Sequence, residues 1–158
     1  KGLLYHYFPT KKAFYAETVR GAAEKLLALC DIHSDATPLD QLAQGIDAYL
    51  DFVREHRAAY TTLMRSGAFV DREIGRIVDD GREKFVALLT EGIIQAFPDR
   101  ERPPLFDLAL RGWVGMAERA SLSWLEMLGT SPRRAPSQPQ VRDLLAKALI
   151  AIVAELAI

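Results

Sequence analysis

Apolar residues recur along this chain at intervals of three and four, and almost nowhere in strict alternation, a pattern that reads as helix nearly throughout. Over residues 11–30, Phe14, Ala22, Leu26 and Leu29 fall along one side of a helix. The polar stretch DIHSDAT interrupts the pattern, and Thr37-Pro38-Leu39-Asp40 restarts it with a capping hydroxyl, a proline in the first turn and a carboxylate at the third position. Leu39, Leu42, Ile46, Tyr49, Leu50 and Val53 then form the most regular stripe in the sequence. A short helix is predicted over 57–65 with Tyr60, Leu63 and Met64 inward, ending at Ser66-Gly67. A long one over 71–96 carries Ile74, Ile77, Val78, Phe85, Leu88, Leu89 and Ile93, and Pro98 stops it. Pro103-Pro104 opens the next, which reaches Leu128 and ends at Gly129. TSPRRAPSQPQ, with three prolines and no large apolar side chain, reads as a flexible excursion before a final helix over 139–157. No hairpin signal separates β-branched runs, and no repeat of fixed period occurs, so the predicted fold class is all-α.

Two of these helices are apolar over more than one face. Projected at about 100° per residue, the helix over 104–128 sets Phe106, Ala109, Trp113, Met116, Ala120, Trp124 and Met127 on one broad face. Val114 and Leu125 fall outside that face, beyond its Leu110 and Leu128 edge. In the last helix Val141, Leu145, Ala148, Leu149, Ile152 and Leu156 share a face that Ile150 and Ala154 extend. An amphipathic surface helix needs only one apolar stripe. Two broader helices in sequence imply burial against the core on one side and against a second copy on the other, because a domain this small has little interior to hide both. The alternative is that both sit in the middle of a monomer.

Composition narrows the function classes. The 158 residues are 49% hydrophobic, enough for one well-buried domain, and the net charge of −1 removes any global field for a polyanion. Nucleic-acid contact therefore has to come from a local cluster. The lone Cys30 forms no internal disulfide, and a reducing cytoplasm is the expected compartment. The longest apolar run, LIAIVA, is far short of the roughly 20 residues that span a bilayer, and no secretory signal precedes it.

Catalytic groups are scattered. His6, His33 and His56 have no metal-ligand spacing around them, and no phosphate-cradling glycine loop appears. Ser121 and Ser123 lack the strand-to-helix turn of a hydrolase nucleophile, and Asp79, Asp80 and Glu118 read as solvated helix-face carboxylates. No enzyme, metal or cofactor is expected. The bulky flat and flexible residues are more informative. Tyr49, Phe52, Tyr60, Met64, Phe69, Phe85, Leu89, Trp113, Met116 and Trp124 come from several helices. Each singly suits an ordinary core, but together they pack irregularly enough to leave a ligand-sized cavity. All of them except Phe69 are taken as lining candidates for a small hydrophobic or aromatic effector. Tyr49, Tyr60 and the two indoles would supply hydrogen-bond donors to it. Periodicity leaves open which of Arg111, Glu118, His56 and Asp51 turns inward.

The chain opens, without an initiator methionine, on KGLLYHYFPTKKAF, as if inside an element already under way. Residues 1–7 make two helical turns, Pro9 ends them, and Thr10 caps the next helix at Lys11. Leu4 and Phe8 fall four apart and face inward, leaving Gly2, Leu3, His6 and Tyr7 outward with Tyr5 between. Tyrosine hydroxyls and lysine ammonium groups donate to phosphate oxygens; a terminal helix covering part of the core fits the same residues. In the order Gly2, Leu4-Tyr5, Phe8, Thr10-Lys11, the stretch resembles the end of the DNA-binding domain of the TetR family of bacterial transcriptional regulators.

That resemblance spans about fourteen residues and implies a good deal. Lys1 to Tyr7 would be most of the recognition helix of a helix-turn-helix, with Gly2, Leu3 and Tyr5 at the groove and Tyr5, His6, Tyr7 and Lys11 on the DNA backbone. The two helices that precede it in the family are not in this sequence, so the fragment is expected to bind DNA poorly by itself. The implied organisation is a helix-turn-helix remnant over 1–10, a connecting helix over 11–30, and a ligand-binding and dimerisation domain over 31–158. The implied protein is a repressor, homodimeric through its last two helices, released from operator DNA by a small hydrophobic effector. A helical protein-interaction module that senses nothing is the alternative, and it predicts a close-packed interior.

Overall fold

A computed structural model describes residues 10–67, 71–99 and 102–156. Among them are six α-helices and no strand: α1 Lys11–Cys30, α2 Pro38–Glu55, α3 Arg57–Thr62, α4 Arg72–Ala96, α5 Phe106–Thr130 and α6 Gln138–Glu155. A π-helical turn, Leu63–Gly67, continues α3, so the single helix predicted over 57–65 changes its winding after Thr62.

Local chemistry sets the helix starts. The Thr10 hydroxyl accepts from the Ala13 N–H at 3.0 Å, and Thr37 accepts from Asp40 N–H at 3.2 Å while donating to the Asp40 carboxylate at 2.7 Å. Asp71 accepts from the Glu73 N–H at 2.9 Å, and the Gln140 side chain accepts from the Ser137 N–H at 2.8 Å. Apart from the Thr37–Asp40 side-chain pair, each bond fills a backbone N–H that a helix end leaves without an internal partner.

Five helices close into a ring. α1 packs between α2 and α4, α4 meets α5, α5 meets α6, and α6 returns to α2. Where α2 crosses the end of α1, Gly45 is required for space: a Cβ there would lie 3.0 Å from the Cys30 carbonyl oxygen. The main core runs through Leu26, Leu50, Val53, Phe106, Leu110, Leu125 and Leu145, and a satellite cluster of Ala16, Val19, Ile74 and Ile77 joins α1 to the start of α4.

Several sequence expectations are corrected here. In α1 the buried residues are Ala16, Val19 and Leu26, while Phe14 and Leu29 are exposed. The small side chains face inward because α1 is pressed between two neighbours. Leu39, at the first turn of the α2 stripe, is exposed. In α5 the core face is turned toward Leu110, Val114, Ala117, Ser121 and Leu125, so Val114 and Leu125 are buried after all. Ala109, Met116 and Ala120 are only half-buried and Met127 is exposed. Gly129 does not end α5, which continues to Thr130, and the Arg57 guanidinium lies against the glycine. The stretch TSPRRAPSQPQ, read as a flexible excursion, closes as a hydrogen-bonded turn on the Ser131 carbonyl, and the Trp124 indole donates to Pro136 O at 2.9 Å.

Candidate ligand-binding cavity

The ring of helices surrounds a cavity of about 1100 Å³. Ligand pockets commonly measure roughly 300–1,000 Å³, so this one is slightly above that range. α1 contributes Val19, Ala22 and Leu26; α2 Leu42, Ile46 and Tyr49; α4 Val78, Phe85 and Leu89; α5 Trp113, Val114 and Ala117; α6 Leu145, Leu149 and Val153. Lining residues that are also exposed mark its opening. Among them are Asp31, His33, Ser34 and Asp35 in the connection from α1 to α2, Glu91, Gln95 and Phe97 at the end of α4, and Ile150 and Ala154 on α6.

Seven of the nine lining candidates border this space: Tyr49, Phe52, Tyr60, Met64, Phe85, Leu89 and Trp113. Met116 and Trp124 do not; Met116 is on the half-buried side of α5, and Trp124 is buried against the following turn. The expected indole donors are both already used. Trp113 Nε1 donates to the Leu145 carbonyl at 3.0 Å, as Trp124 does to Pro136. Buried N–H groups find partners, and here the backbone reaches them.

Two polar groupings stand in the otherwise apolar wall. The hydroxyls of Tyr49 and Tyr60 are 2.7 Å apart. Burial pushes the Tyr49 phenol up to about 12, and burial followed by the neighbouring Tyr49 raises Tyr60. Beside them, Arg82 grips Glu118: Nε donates to the two carboxylate oxygens at 2.9 and 3.1 Å, and Nη2 donates at 2.8 Å. Nη1 of the same guanidinium donates to Asp79 at 2.8 Å. Asp79 and Asp80 are exposed as expected, but Glu118 is half-buried in the cavity wall and not a solvated surface carboxylate. The signal for this pair lay in the periodicity. Arg82 is four residues after Val78 and three before Phe85, on the apolar stripe of α4, and Glu118 is midway between Val114 and Leu122.

The other charged candidates are placed elsewhere. Arg111 pairs with Glu83 on the surface. Asp51 accepts from Arg54 and Gln138, and His56 stacks on Phe52 with ring centroids 4.3 Å apart. Lys11 is exposed at the start of α1. Lys1, Gly2, Leu3, Tyr5, His6 and Tyr7 lie outside the described residues, as does Phe69. Among the described residues no group of histidine, cysteine and carboxylate side chains could hold a metal ion, and no helix is long and apolar enough to cross a membrane.

Cys30 lines the cavity, and burial pushes its thiol from 9.0 up to about 12. Only the thiolate is nucleophilic. Alkylation by iodoacetamide at pH 8, followed by intact mass, should therefore be slower than that of a free thiol by about two to three orders of magnitude.

The described residues thus form an all-helical ring around a large, mostly apolar cavity. The profile of the family described as "Tetracyclin repressor-like, C-terminal domain" matches residues 38–152. A crystal structure of a TetR-family transcriptional regulator from Streptomyces coelicolor superimposes with a TM-score of 0.78 at 28% identity, over 98% of this chain and 66% of that one. The chain belongs to the TetR family of transcriptional regulators. It spans about two thirds of the length of that relative, and no curated protein matches it.

Proposed function

We propose that this chain is the sensing and pairing portion of a ligand-responsive repressor of transcription. The observation that carries the reading is the cavity itself, about 1100 Å³ inside a ring of five helices. A helical docking module calls for a close-packed interior, and a void of this size costs stability unless something fills it.

The supporting mechanism runs through α1. One end of this helix lines the cavity at Leu26 and Cys30, and the other begins at Lys11, directly after the stretch that resembles a recognition helix. Its 20 residues make a rod of about 30 Å at 1.5 Å per residue. Along its length it is tied to α4 by Ala16 and Val19 against Ile74 and Ile77, and by Lys12 to Asp71 at 3.0 Å. Displacement of its cavity end by a ligand would swing its other end. In a homodimer this changes the spacing of two reading heads that must match half-sites about 34–36 Å apart. The ligand need only bind the mis-spaced conformation better than the DNA-competent one.

Pairing is assigned to α5 and α6. Ala109, Met116, Ala120 and Met127 leave one side of α5 incompletely covered, and Leu144, Ala148 and Ala151 do the same on α6. Two such helices from each copy would form a four-helix bundle. The test is an electrophoretic shift of the full-length protein on its own upstream DNA at low salt. Retardation that a hydrophobic effector reverses is expected; no retardation would refute the reading.

A further inference from the structure

The charged groups in the cavity wall are already matched, and that restricts the charge a ligand can bring. Away from the opening, the ionised lining residues are Arg82 and Glu118, joined by hydrogen bonds of 2.8, 2.9 and 3.1 Å. Arg82 also donates to Asp79 at 2.8 Å, so two carboxylates stand against one cation. A ligand carboxylate would find no unmatched positive charge here. A ligand ammonium would have to compete with a guanidinium already seated on Glu118. Taking an unpaired charge into an apolar wall is costly. Asp31, Asp35 and Glu91 border the opening, but they are exposed, where water and salt screen them.

The uncharged polar groups of the wall are unevenly used. The Trp113 indole gives its proton to the Leu145 carbonyl at 3.0 Å. The Tyr49 and Tyr60 hydroxyls, 2.7 Å apart, bond to each other, and neither makes another hydrogen bond among the described residues. Two hydroxyls carry two protons, and a bond between them uses one, whichever of the two donates. The accepting hydroxyl therefore keeps a proton without an acceptor. Both phenols border the cavity, and burial raises both above the ordinary phenol range, so both protons are in place at neutral pH. Ile46, Phe52, Phe85 and Leu89 make the lining on neighbouring turns apolar. A buried donor left without an acceptor costs stability, and an acceptor on the ligand removes that cost.

We propose that the effector is an uncharged lipophile bearing a hydrogen-bond acceptor, such as a ketone or ester carbonyl, which takes the spare proton of the Tyr49–Tyr60 pair. The inference rests on the cavity being a ligand site and adds the ligand's chemical class. Four probes of similar size separate the contributions: methyl octanoate, butylbenzene, nonanoate and nonylammonium, each below saturation and below any micellar concentration. Trp113 emission reports binding in a W124F background, since Trp124 does not border the cavity. At neutral pH methyl octanoate should bind at least about tenfold tighter than either ion. Y49F/Y60F should weaken the ester about three- to tenfold, as the loss of one neutral hydrogen bond implies, and leave butylbenzene within about twofold. Each single variant leaves one hydroxyl with its proton unused, so Y49F and Y60F should each hold the ester nearly as well as the parent does. Either ion binding as tightly as the ester would overturn the assignment and leave the cavity as a ligand site. So would ester and butylbenzene weakening together in Y49F/Y60F, or a single variant losing as much as the double one. Binding of none of the four would overturn the cavity as a ligand site and the assignment with it.

Discussion

Leu145→Ala should lower unfolding stability by about 3 kcal/mol, whereas Leu144→Glu, one residue earlier, should change it by no more than about 0.5 kcal/mol in the monomer. Leu145 has no accessible surface and is part of the core where α6 meets α5. Truncating it removes apolar contacts and enlarges a cavity that the ring already encloses. The Trp113 bond would survive, since the indole donates to the Leu145 backbone oxygen. Leu144 is 58% exposed, on the side of α6 turned from the core. If α5 and α6 form the proposed pairing surface, a carboxylate there would have to be desolvated in the dimer. Sedimentation velocity should then show L144E as a monomer at concentrations where the parent protein is paired. Urea midpoints of the parent should rise with protein concentration and those of L144E should not. L144E sedimenting like the parent would move the pairing surface elsewhere.

The contrast between these neighbours also shows where sequence periodicity succeeds. In α2 the stripe from Leu42 to Val53 is bounded by polar residues, so only one rotation of the helix buries it, and Ile46, Leu50 and Val53 are buried as read. The Thr37-Pro38-Leu39-Asp40 start was equally legible, because the capping hydroxyl and the first-turn proline act locally. α5 is different. Its apolar arc is so broad that the charged side, with Asp107, Arg111, Arg119 and Glu126, leaves open which part of the arc meets the core. Its core face is therefore centred on Leu110, Ala117 and Ser121 and not on Met116 and Ala120. Met116 stands away from the cavity for that reason, and Trp124 because a proline-rich turn folds back to accept its indole proton. The cavity's aromatic lining was readable as residue types. Its polar part was not, since Tyr60 meets Tyr49 and Arg82 meets Glu118 only after the ring closes.

Arg82→Met should cost about 2 kcal/mol, more than Glu118→Gln, and R82M/E118L should recover most of the loss. Removing one partner of a fully buried ion pair costs roughly 3–5 kcal/mol because the other charge is left unpaired. Here the Arg82 side chain is 38% exposed and Glu118 19%, so solvent screening reduces the figure. The asymmetry follows from the geometry. Without Arg82, Glu118 loses all three of its guanidinium hydrogen bonds in a half-buried wall; without the Glu118 charge, Arg82 keeps Asp79 and some water. Replacing both by apolar side chains leaves no orphaned charge, which is why the double variant should approach the parent. Urea unfolding of the four proteins measures these differences, and equal losses for R82M and E118Q would show that the wall around Glu118 is wetter than the burial indicates.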